Sequence, residues 1–421
     1  MNNTSSNSAS RRGFLKGAAA LGAAALTARS YGRVVGANDR IRLGQIGCGQ
    51  RGYEAHMTGG IHPHDKAQNV EYVAVCDVWT VHRERAAKTV KDWYGHEAKQ
   101  TSAYKELLDW KDVDAVMIAT CDHQHTTHLK AAVGAGKDVY CEKPLAMDME
   151  SLKSAVDAVK ATDRVVQIGT QLRSMPSYRG CREVYQTGVL GTVSRVEQCR
   201  NAGTPYWYRR MSRQVEEKDV DWGNFLCGKP ARPFSAELFA GWFGYRGFSD
   251  GPIPQLGVHF IDAIHYITGA SIPTSAVCNG GIFTFKDEHK FTTPDSIQGT
   301  WVYPEGFVLS YETNFGNAGG NCSRIYGQSG LMDFSKPSDA FVTGAGAGKK
   351  GKLGSGQEKV TPVEGPDHFL DWLQCLRTRK MPNAPIDAGY AHAVAAIMAL
   401  MAFDSGKRMV YDAGKREVRE G

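Results

Sequence analysis

The sequence lacks the cysteine spacing of a zinc-binding or disulfide-rich protein. None of its ten cysteines forms a C-x-x-C pair, and ten cysteines in 421 residues do not make a disulfide framework. Cys48, Cys76, Cys121 and Cys141 lie among apolar strand residues or glycines, where cysteine behaves as a small buried hydrophobe. We therefore expect no metal site.

The chain also lacks a strong excess of charge. Its formal net charge is +6, but the first 30 residues hold four cations and no anion, which leaves 46 cations and 44 anions in the rest. A balance of this kind gives no basis for binding nucleic acid or an acidic membrane surface. With 42% hydrophobic and 22% charged residues, the composition is that of an ordinary globular protein.

The N-terminal segment has the pattern of a targeting signal. In "SASRRGFLKGAAALGAAALTARS", Arg11 and Arg12 precede an Ala/Leu/Gly run that is too short to span about 30 Å of hydrocarbon. The pattern S-R-R-x-F-L-K is close to the twin-arginine export signal. We predict such a signal over residues 1–32, export through the twin-arginine machinery and a periplasmic location. A disordered basic tail is the alternative, and no clean A-x-A cleavage site follows.

From Ile41 onward, short apolar runs alternate with helical patterns. The runs "IRLGQIG", "VEYVAVCDV", "VDAVMIAT", "KDVYCEKPL" and "RVVQIGT" are typical of strands, and residues 81–93 and 126–135 have helical spacing. Alternating strands and helices predict a parallel sheet covered on both faces. The chain is long enough for a second domain, since single cores stop growing at roughly 250 to 300 residues.

A glycine motif follows the first predicted strand. Gly47, Gly49 and Gly52 form G-x-G-x-x-G between a strand and a helix, and Asp77 ends the second strand about 25 residues later. The glycines allow a dinucleotide diphosphate to approach a helix N-terminus, and the carboxylate suits a ribose 2′-hydroxyl and repels a 2′-phosphate. We predict NAD as the cofactor, with NADP disfavoured; a glycine turn in an unrelated α/β fold is the alternative.

The stretch "IATCDHQHTTHLKAAVGAGKDVYCEKPLA" carries a family resemblance. Its E-K-P tripeptide, the A-T-x-x-H-x-H pattern before it and the upstream glycine loop occur in the order seen in Gfo/Idh/MocA oxidoreductases. The resemblance extends from Arg40 onward and includes the G-x-H-x-x-D of Gly257, His259 and Asp262. The chain thus resembles the family of glucose-fructose oxidoreductase and inositol dehydrogenase.

The resemblance implies a Rossmann domain at residues 40–163 and, at residues 164–421, an α/β domain with an open, mostly antiparallel sheet and C-terminal helices. It implies a substrate between the domains and pairing of the exposed sheet face in a homo-oligomer. Lys143, His259 and Gln255 are the catalytic candidates. Together with the glycine motif, the resemblance assigns these residues to the cofactor: Gly47, Gly49, Gln50, Arg51, Gly52, Asp77, Thr120, His125, Glu142 and Gln171.

Gln255 departs from the family pattern. The family often has an aspartate four residues before its catalytic histidine, and here Gln255 precedes His259. A glutamine can orient the imidazole or a sugar hydroxyl without adding charge, so we expect Gln255 to position and His259 or Lys143 to carry the proton. A surface position for Lys143 and an interior hydrogen-bonded role for His259 are the alternatives.

Other polar and aromatic groups suggest further roles. The spacing of His259, Asp262 and His265 spreads them too widely for joint metal coordination, so we expect Asp262 to brace the helix or the histidine. Aromatic faces and bidentate polar groups suit sugar rings. The candidate lining residues, with core packing equally plausible for each aromatic, are Tyr206, Trp207, Tyr208, Trp242 and Arg246.

Three functions remain open at this point. The first is an NAD-dependent oxidoreductase with tightly bound cofactor that acts on a hydroxyl of a sugar, glycoside or cyclitol. The second is a redox-neutral glycosidase, in which transient oxidation acidifies a neighbouring C–H, the glycosidic bond is eliminated, water adds and the hydride returns. The third is a non-catalytic sugar-binding protein. The fold alone does not choose among them.

Overall fold

The computed structural model describes residues 39–344 and 353–421. The predicted export signal lies outside the described residues. Alternation of strands and helices produces a parallel sheet, as predicted, with strand order β3-β2-β1-β4-β5-β6. Its strands are β1 Ile41–Ile46, β2 Val70–Cys76, β3 Lys99–Thr101, β4 Ala115–Ile118, β5 Asp138–Cys141 and β6 Val166–Ile168.

The helices follow the strands along the chain and cover both faces of this sheet, so that β4 and β5 are buried along their whole length. The helix after the glycine loop has π-type hydrogen bonding, and three others have only four or five residues. The helices are α1 Arg51–Ile61, α2 Asp65–Gln68, α3 Thr80–Tyr94, α4 Tyr104–Asp109, α5 His125–Gly134, α6 Met149–Lys160, α7 Pro176–Gln186, α8 Trp222–Leu226, α9 Ala236–Ala240, α10 Val258–Thr268, α11 His368–Thr378 and α12 Ile386–Ser405.

The second sheet of the described chain has ten strands and is antiparallel except where β10 pairs with β7. Its order is β14-β13-β12-β11-β7-β10-β9-β8-β15-β16. The mostly antiparallel second domain is therefore confirmed. Its strands are β7 Val193–Cys199, β8 Ser275–Gly281, β9 Ser296–Val302, β10 Val308–Asn314, β11 Cys322–Gly327, β12 Leu331–Asp333, β13 Phe341–Thr343, β14 Gln357–Lys359, β15 Met409–Asp412 and β16 Glu417–Glu420.

One face of the second sheet packs on α10 and α12. Trp301, Leu309 and Tyr311 on that face are fully buried, and the Trp301 indole N–H donates to the Ala395 carbonyl at 2.8 Å. Among helices in the described residues, α12 alone is long and apolar enough to cross a membrane, yet 72% of its apolar window is buried inside the fold. It is therefore the core helix of this domain.

The two halves of the chain are interleaved. The first sheet runs to Ile168, past residue 163, where the sequence places the domain boundary. Helix α11 returns from the far end of the chain to the first domain, where Trp372 and Leu373 join the core that contains Tyr72. Because both domains are fixed against each other in this way, the carboxyl ends of the parallel strands face the start of α10.

Candidate active site

A cavity lies between the carboxyl ends of the first sheet and the N-terminal end of α10. Such crevices are where open α/β sheets bind ligands. The predicted site residues that line the cavity are Gly47, Gly49, Gln50, Arg51, Asp77, Thr120, His125, Glu142, Lys143, Gln255 and His259. Gly52 and Gln171 are outside the lining; Gly52 lies close to the Gly47 carbonyl, and the Gln171 amide donates to Glu142.

The glycine loop leaves room for a diphosphate. Gly47 has φ of +86°, and a Cβ there would lie 2.6 Å from the Ala119 carbonyl oxygen. A Cβ on Gly52 would lie 1.9 Å from the Gly47 carbonyl oxygen, so this position admits only glycine. A Cβ on Gly49 would meet nothing closer than His82 at 3.5 Å. Gly49 therefore borders open space above the N-terminal turn of α1, and the loop fits the diphosphate of a dinucleotide.

Asp77 holds this loop in place. One carboxylate oxygen accepts the Cys48 backbone N–H at 2.6 Å, and the other accepts that of Trp79 at 2.8 Å. Each carboxylate oxygen has a second lone pair, so Asp77 can still accept a hydrogen bond from a ribose hydroxyl in the cavity.

Glu142 anchors a buried network rather than standing free. Its carboxylate binds Arg51 at 2.7 Å, His56 at 2.9 Å and the Gln171 amide nitrogen at 3.0 Å. Burial alone would raise the pKa of Glu142, but the charge of Arg51 and the bond from His56 hold it well below its usual range. A Cβ on Gly169 would lie 2.7 Å from the same carboxylate. Glu142 is thus an ionised anchor that fixes Arg51 at the cavity wall.

His125 and Thr120 join two loops of the cavity wall. The His125 ring bonds the Pro144 carbonyl at 2.7 Å and the Thr120 carbonyl at 3.2 Å. Burial lowers the pKa of His125, and a neutral ring can donate to only one of these two carbonyls, of which that of Pro144 is the nearer. Its contacts set the position of the Glu142–Lys143–Pro144 turn.

Lys143 is tied to Gln255 across the cavity. Its ammonium nitrogen donates to the Gln255 backbone carbonyl at 2.7 Å and to the side-chain oxygen at 3.3 Å. The Gln255 amide nitrogen donates in turn to the carboxylate of Asp122, which is 3% exposed. Lys143, Gln255 and Asp122 therefore form a chain of hydrogen bonds that joins the two domains.

The electrostatics of this chain favour proton exchange. Burial lowers the pKa of Lys143, although Glu142 and Asp122 oppose that effect. Burial raises the pKa of Asp122 to about 7, against the opposing charge of Lys143 and the bond from Gln255. Two groups of opposite charge type thus have pKa values displaced toward neutrality, as general acids and bases require.

His259 lies beside this chain but is not part of it. Its Nδ1 atom is buried and, among the described residues, has no hydrogen-bond partner. Burial and the nearby charge of Lys143 lower the pKa of His259 well below 6.5, so the ring is neutral. Gln255 hydrogen-bonds to Lys143 and Asp122 and, within the described residues, not to His259, so the expectation that it orients the imidazole is wrong. That it orients a sugar hydroxyl stays a prediction. The sequence spacing put both residues on one helical face, but the amide turns toward the other domain.

Asp262 braces another pair of residues. It accepts from the Arg173 guanidinium at 2.6 Å and from His392 at 3.4 Å, while the His265 ring bonds the Tyr303 hydroxyl at 2.7 Å. Asp262 therefore fixes α10 to Arg173 and His392 and makes no hydrogen bond to His259 among the described residues. Within residues 39–344 and 353–421, no group of three His, Cys, Asp or Glu side chains is arranged to hold a metal ion.

Of the aromatic candidates, Trp242 lines the cavity. Tyr206, Trp207 and Tyr208 instead pack in a separate aromatic cluster with Phe291 and Phe315, which is the core-packing alternative. Arg246 is also outside the cavity lining, because its guanidinium pairs with Asp404 and Asp250.

The sequence reasoning missed Asp122, Arg210, Arg213 and Phe243, all of which line the cavity. Asp122 occupies an unassigned position of the A-T-x-x-H-x-H pattern. Arg209 and Arg210 directly follow the aromatic run "YWY", and two cations beside aromatic residues could have indicated a polar pocket.

Comparison with family models agrees with this architecture. A model described as "Oxidoreductase family, NAD-binding Rossmann fold" matches residues 41–170, and one described as "GFO/IDH/MocA C-terminal domain" matches residues 223–333. The chain belongs to the Gfo/Idh/MocA oxidoreductase family. The first of these domains is an NAD(P)-binding Rossmann fold, and the open space at the glycine loop fits the diphosphate of such a cofactor.

Individual relatives of this family member have related but different names. "Glycosyl hydrolase family 109 protein 2" of Shewanella sp. (strain ANA-3) is 34% identical over 288 residues, or 63% of this chain and 59% of that protein. "D-glucoside 3-dehydrogenase" of Escherichia coli (strain K12) is 27% identical over 289 residues, or 65% of this chain and 70% of that protein. The match thus spans about three fifths of the first of these relatives.

Solved structures share the fold at low sequence identity. The aldose-aldose oxidoreductase from Caulobacter crescentus, complexed with glycerol, superposes with a TM-score of 0.66 and 18% identity over 88% of this chain and 99% of that one. At this identity the likeness shows the fold alone.

Proposed function

We propose that the protein is an NAD-dependent oxidoreductase that acts on a ring hydroxyl of a sugar, glycoside or cyclitol. The observation that carries the proposal is the hydrogen-bonded chain of Lys143, Gln255 and Asp122 in the same cavity as the glycine loop. A proton-exchanging group and a dinucleotide cradle in one cavity are what alcohol oxidation needs. The named dehydrogenase relative supports a carbohydrate as substrate.

When bound, the nicotinamide cofactor supplies the acceptor for a hydride. The residues of this chain supply the proton chemistry and the orientation. The lowered pKa of Lys143 makes its deprotonated form more accessible, and in that form Nζ accepts the hydroxyl proton as the C–H bond breaks. Gln255 holds Nζ in place through two acceptor oxygens, and the Asp122 carboxylate fixes which end of the amide faces the lysine.

His259 has a second role in this scheme. As a neutral ring with an unpartnered Nδ1 atom, it can donate to or accept from a substrate hydroxyl without a change of charge. Arg51, fixed by Glu142, is placed to neutralise a phosphate at the start of α1.

The choice of NAD over NADP rests on Asp77. Its buried carboxylate suits a ribose 2′-hydroxyl. The opposing feature is Arg213, a cation near Asp77 and Arg85 whose charge would attract a 2′-phosphate. Calorimetry with both cofactors separates the two. We expect NAD to bind the unmodified chain more tightly, and Asp77→Ala to weaken NAD more than NADP; tighter binding of NADP would contradict the assignment.

Native mass spectrometry followed by a panel of sugars, glycosides and cyclitols tests the activity. We expect bound NAD and a product that is two hydrogens lighter than one member of the panel. A chain that carries no nicotinamide cofactor and cannot be loaded with one would contradict the proposal and favour a non-catalytic sugar-binding protein.

A redox-neutral glycosidase is the second candidate. Two observations favour it: a similar protein is named a glycosyl hydrolase, and Asp122, with a pKa of about 7, offers a second proton acceptor beside Lys143. Elimination of a glycosidic bond needs a base for the ring C–H in addition to the one for the hydroxyl. Cleavage of a nitrophenyl glycoside in D₂O with deuterium at C2 and no net reduction of the cofactor would select this reaction.

We also infer a periplasmic location and a homo-oligomer. The location rests on Arg11 and Arg12 in the export pattern. The oligomer rests on the outer face of the second sheet, where Val277, Val302 and Val308 are exposed on neighbouring strands. Val302→Lys together with Val308→Lys should lower the mass measured by light scattering, and an unchanged mass would place the interface elsewhere or leave none.

A further inference from the structure

Arg210 is a charged residue of the cavity wall whose side chain has no polar partner among the described residues. Glu142 pairs with Arg51, and Lys143 bonds to Gln255, but the Arg210 guanidinium makes no hydrogen bond or ion pair within the part of the chain that the structure describes. Its contact is with an aromatic ring: the guanidinium carbon lies 4.4 Å from the centroid of Phe243.

Arg210 belongs to the substrate end of the cavity. Its electrostatic neighbours are Arg213, Cys121, Asp122 and Tyr206, and its charge acts on Lys143. Arg213, one turn further, has Arg85 and Asp77 as neighbours and so faces the cofactor end. The two arginines are neighbours, with Arg210 toward Asp122 and Arg213 toward Asp77.

The surroundings of Arg210 combine a cation with a flat apolar surface. Phe243 stacks on Trp242 with ring centroids 3.7 Å apart, and both rings line the cavity. Burial and the charge of Arg213 lower the pKa of Arg210 to about 10, so the guanidinium remains charged at pH 7 while it lacks a compensating anion. An unpaired cation in a partly dehydrated wall is unfavourable, and a guanidinium pairs with carboxylate or phosphate oxygens in a two-bond fork.

We propose that the substrate is an acidic sugar or glycoside whose carboxylate or phosphate binds Arg210, while its ring lies against Trp242 and Phe243. This inference rests on the proposed function, because it names the substrate class of the same cavity. The anionic group is recognised at the Asp122 side, which places the ring between Arg210 and Lys143.

Calorimetry with matched sugar pairs tests the proposal on the full chain in saturating NAD. The pairs are glucuronate with glucose, galacturonate with galactose, and glucose 6-phosphate with glucose, so carboxylate and phosphate are tested separately. We expect at least one acidic member to bind about tenfold or more tightly than its neutral partner, since hydrogen bonds to charged groups contribute this much or more. Arg210→Gln should remove the preference and Arg210→Lys should retain part of it. The exposed neighbour Arg209 supplies the control Arg209→Gln, which should leave it unchanged.

Three results would overturn the inference. The first is that every acidic sugar binds no more tightly than its neutral partner, or does not bind. The second is that the preference for the acidic sugar survives in Arg210→Gln. The third is that Arg210→Gln binds NAD more weakly while its preference for the acidic sugar is unaltered, which would assign the guanidinium to the cofactor diphosphate. The proposed function fails separately, through absence of NAD binding or of any sugar oxidation while the acid preference is intact.

Discussion

Replacement of Asp122 by asparagine separates the charge of this carboxyl from its hydrogen bond. The asparagine oxygen can still accept from Gln255, but it cannot ionise. In the wild-type chain, burial raises the pKa of Asp122 from 3.8 to about 7, so the folded state holds a proton that the unfolded state releases. A difference of about 3 in pKa corresponds to roughly 4 kcal/mol at 1.36 kcal/mol per unit.

The sign of the effect follows from the direction of the shift. Because the folded pKa is raised, the stabilising contribution of this group is fully present below pH 3.8 and is lost as the pH rises through about 7. The variant has no such loss. The free energy of unfolding of Asp122→Asn, minus that of wild type, should therefore increase by up to roughly 4 kcal/mol between pH 4 and pH 8.

Denaturant titrations of both proteins in saturating NAD at several pH values measure this difference. Asp109 is exposed, so Asp109→Asn is the matched control and should show no such trend. Turnover gives an independent reading: the Asp122 charge raises the pKa of Lys143, so the variant's acid limb should move to lower pH. A stability difference that stays flat within about 1 kcal/mol, with an unmoved pH–rate profile, would refute the reasoning.

Three further predictions follow from the same geometry. Lys143→Ala should lower turnover by about 10²- to 10⁴-fold with NAD binding retained in calorimetry, because it removes the proton acceptor. His259→Ala removes a hydrogen bond to the substrate hydroxyl and should lower turnover by less, and full activity would leave that ring structural. Gln255→Ala should mainly raise KM. Gly49→Ala should fold normally but weaken NAD binding by about tenfold or more. Gly52→Ala should lower the free energy of unfolding by roughly 2–4 kcal/mol, because its Cβ would lie 1.9 Å from a carbonyl oxygen. Gly134→Ala is the control for both, since a Cβ there meets nothing within 4 Å. Replacement of Arg11 and Arg12 together by lysine should leave the folded precursor in the cytoplasm, as shown by cell fractionation; normal secretion would contradict the signal.

Most of the first domain could be predicted from local sequence patterns. Five of the six strands of the parallel sheet could be predicted from apolar runs, and the glycine loop from its spacing, because these features depend on neighbouring residues. Strand β3 was missed since its three residues, Lys99–Thr101, have no hydrophobic pattern. The predicted boundary at residue 163 stays a prediction; strand β6, which follows it, pairs with β5 in the first sheet.

The active-site contacts were harder to predict because they join distant parts of the chain. Asp122 and Gln255 are 133 residues apart, and nothing local to either residue indicates that they meet. Glu142 was assigned to the cofactor, and its partners Arg51 and His56, both from α1, bond to one of its two carboxylate oxygens. Gln255 shows the limit of the helical-face argument, since a shared face predicts neighbours along a helix but not which domain a side chain turns toward.

Transfer of a deuterium label tests the central claim most directly. The purified chain, loaded with NAD, is incubated with ring-deuterated sugars, glycosides and cyclitols, and the cofactor is then released and weighed by mass spectrometry. The account predicts deuterium on the nicotinamide ring from at least one substrate, and loss of that label in Lys143→Ala while the cofactor remains bound. A cofactor that stays unlabelled and oxidised with every member of the panel would contradict it.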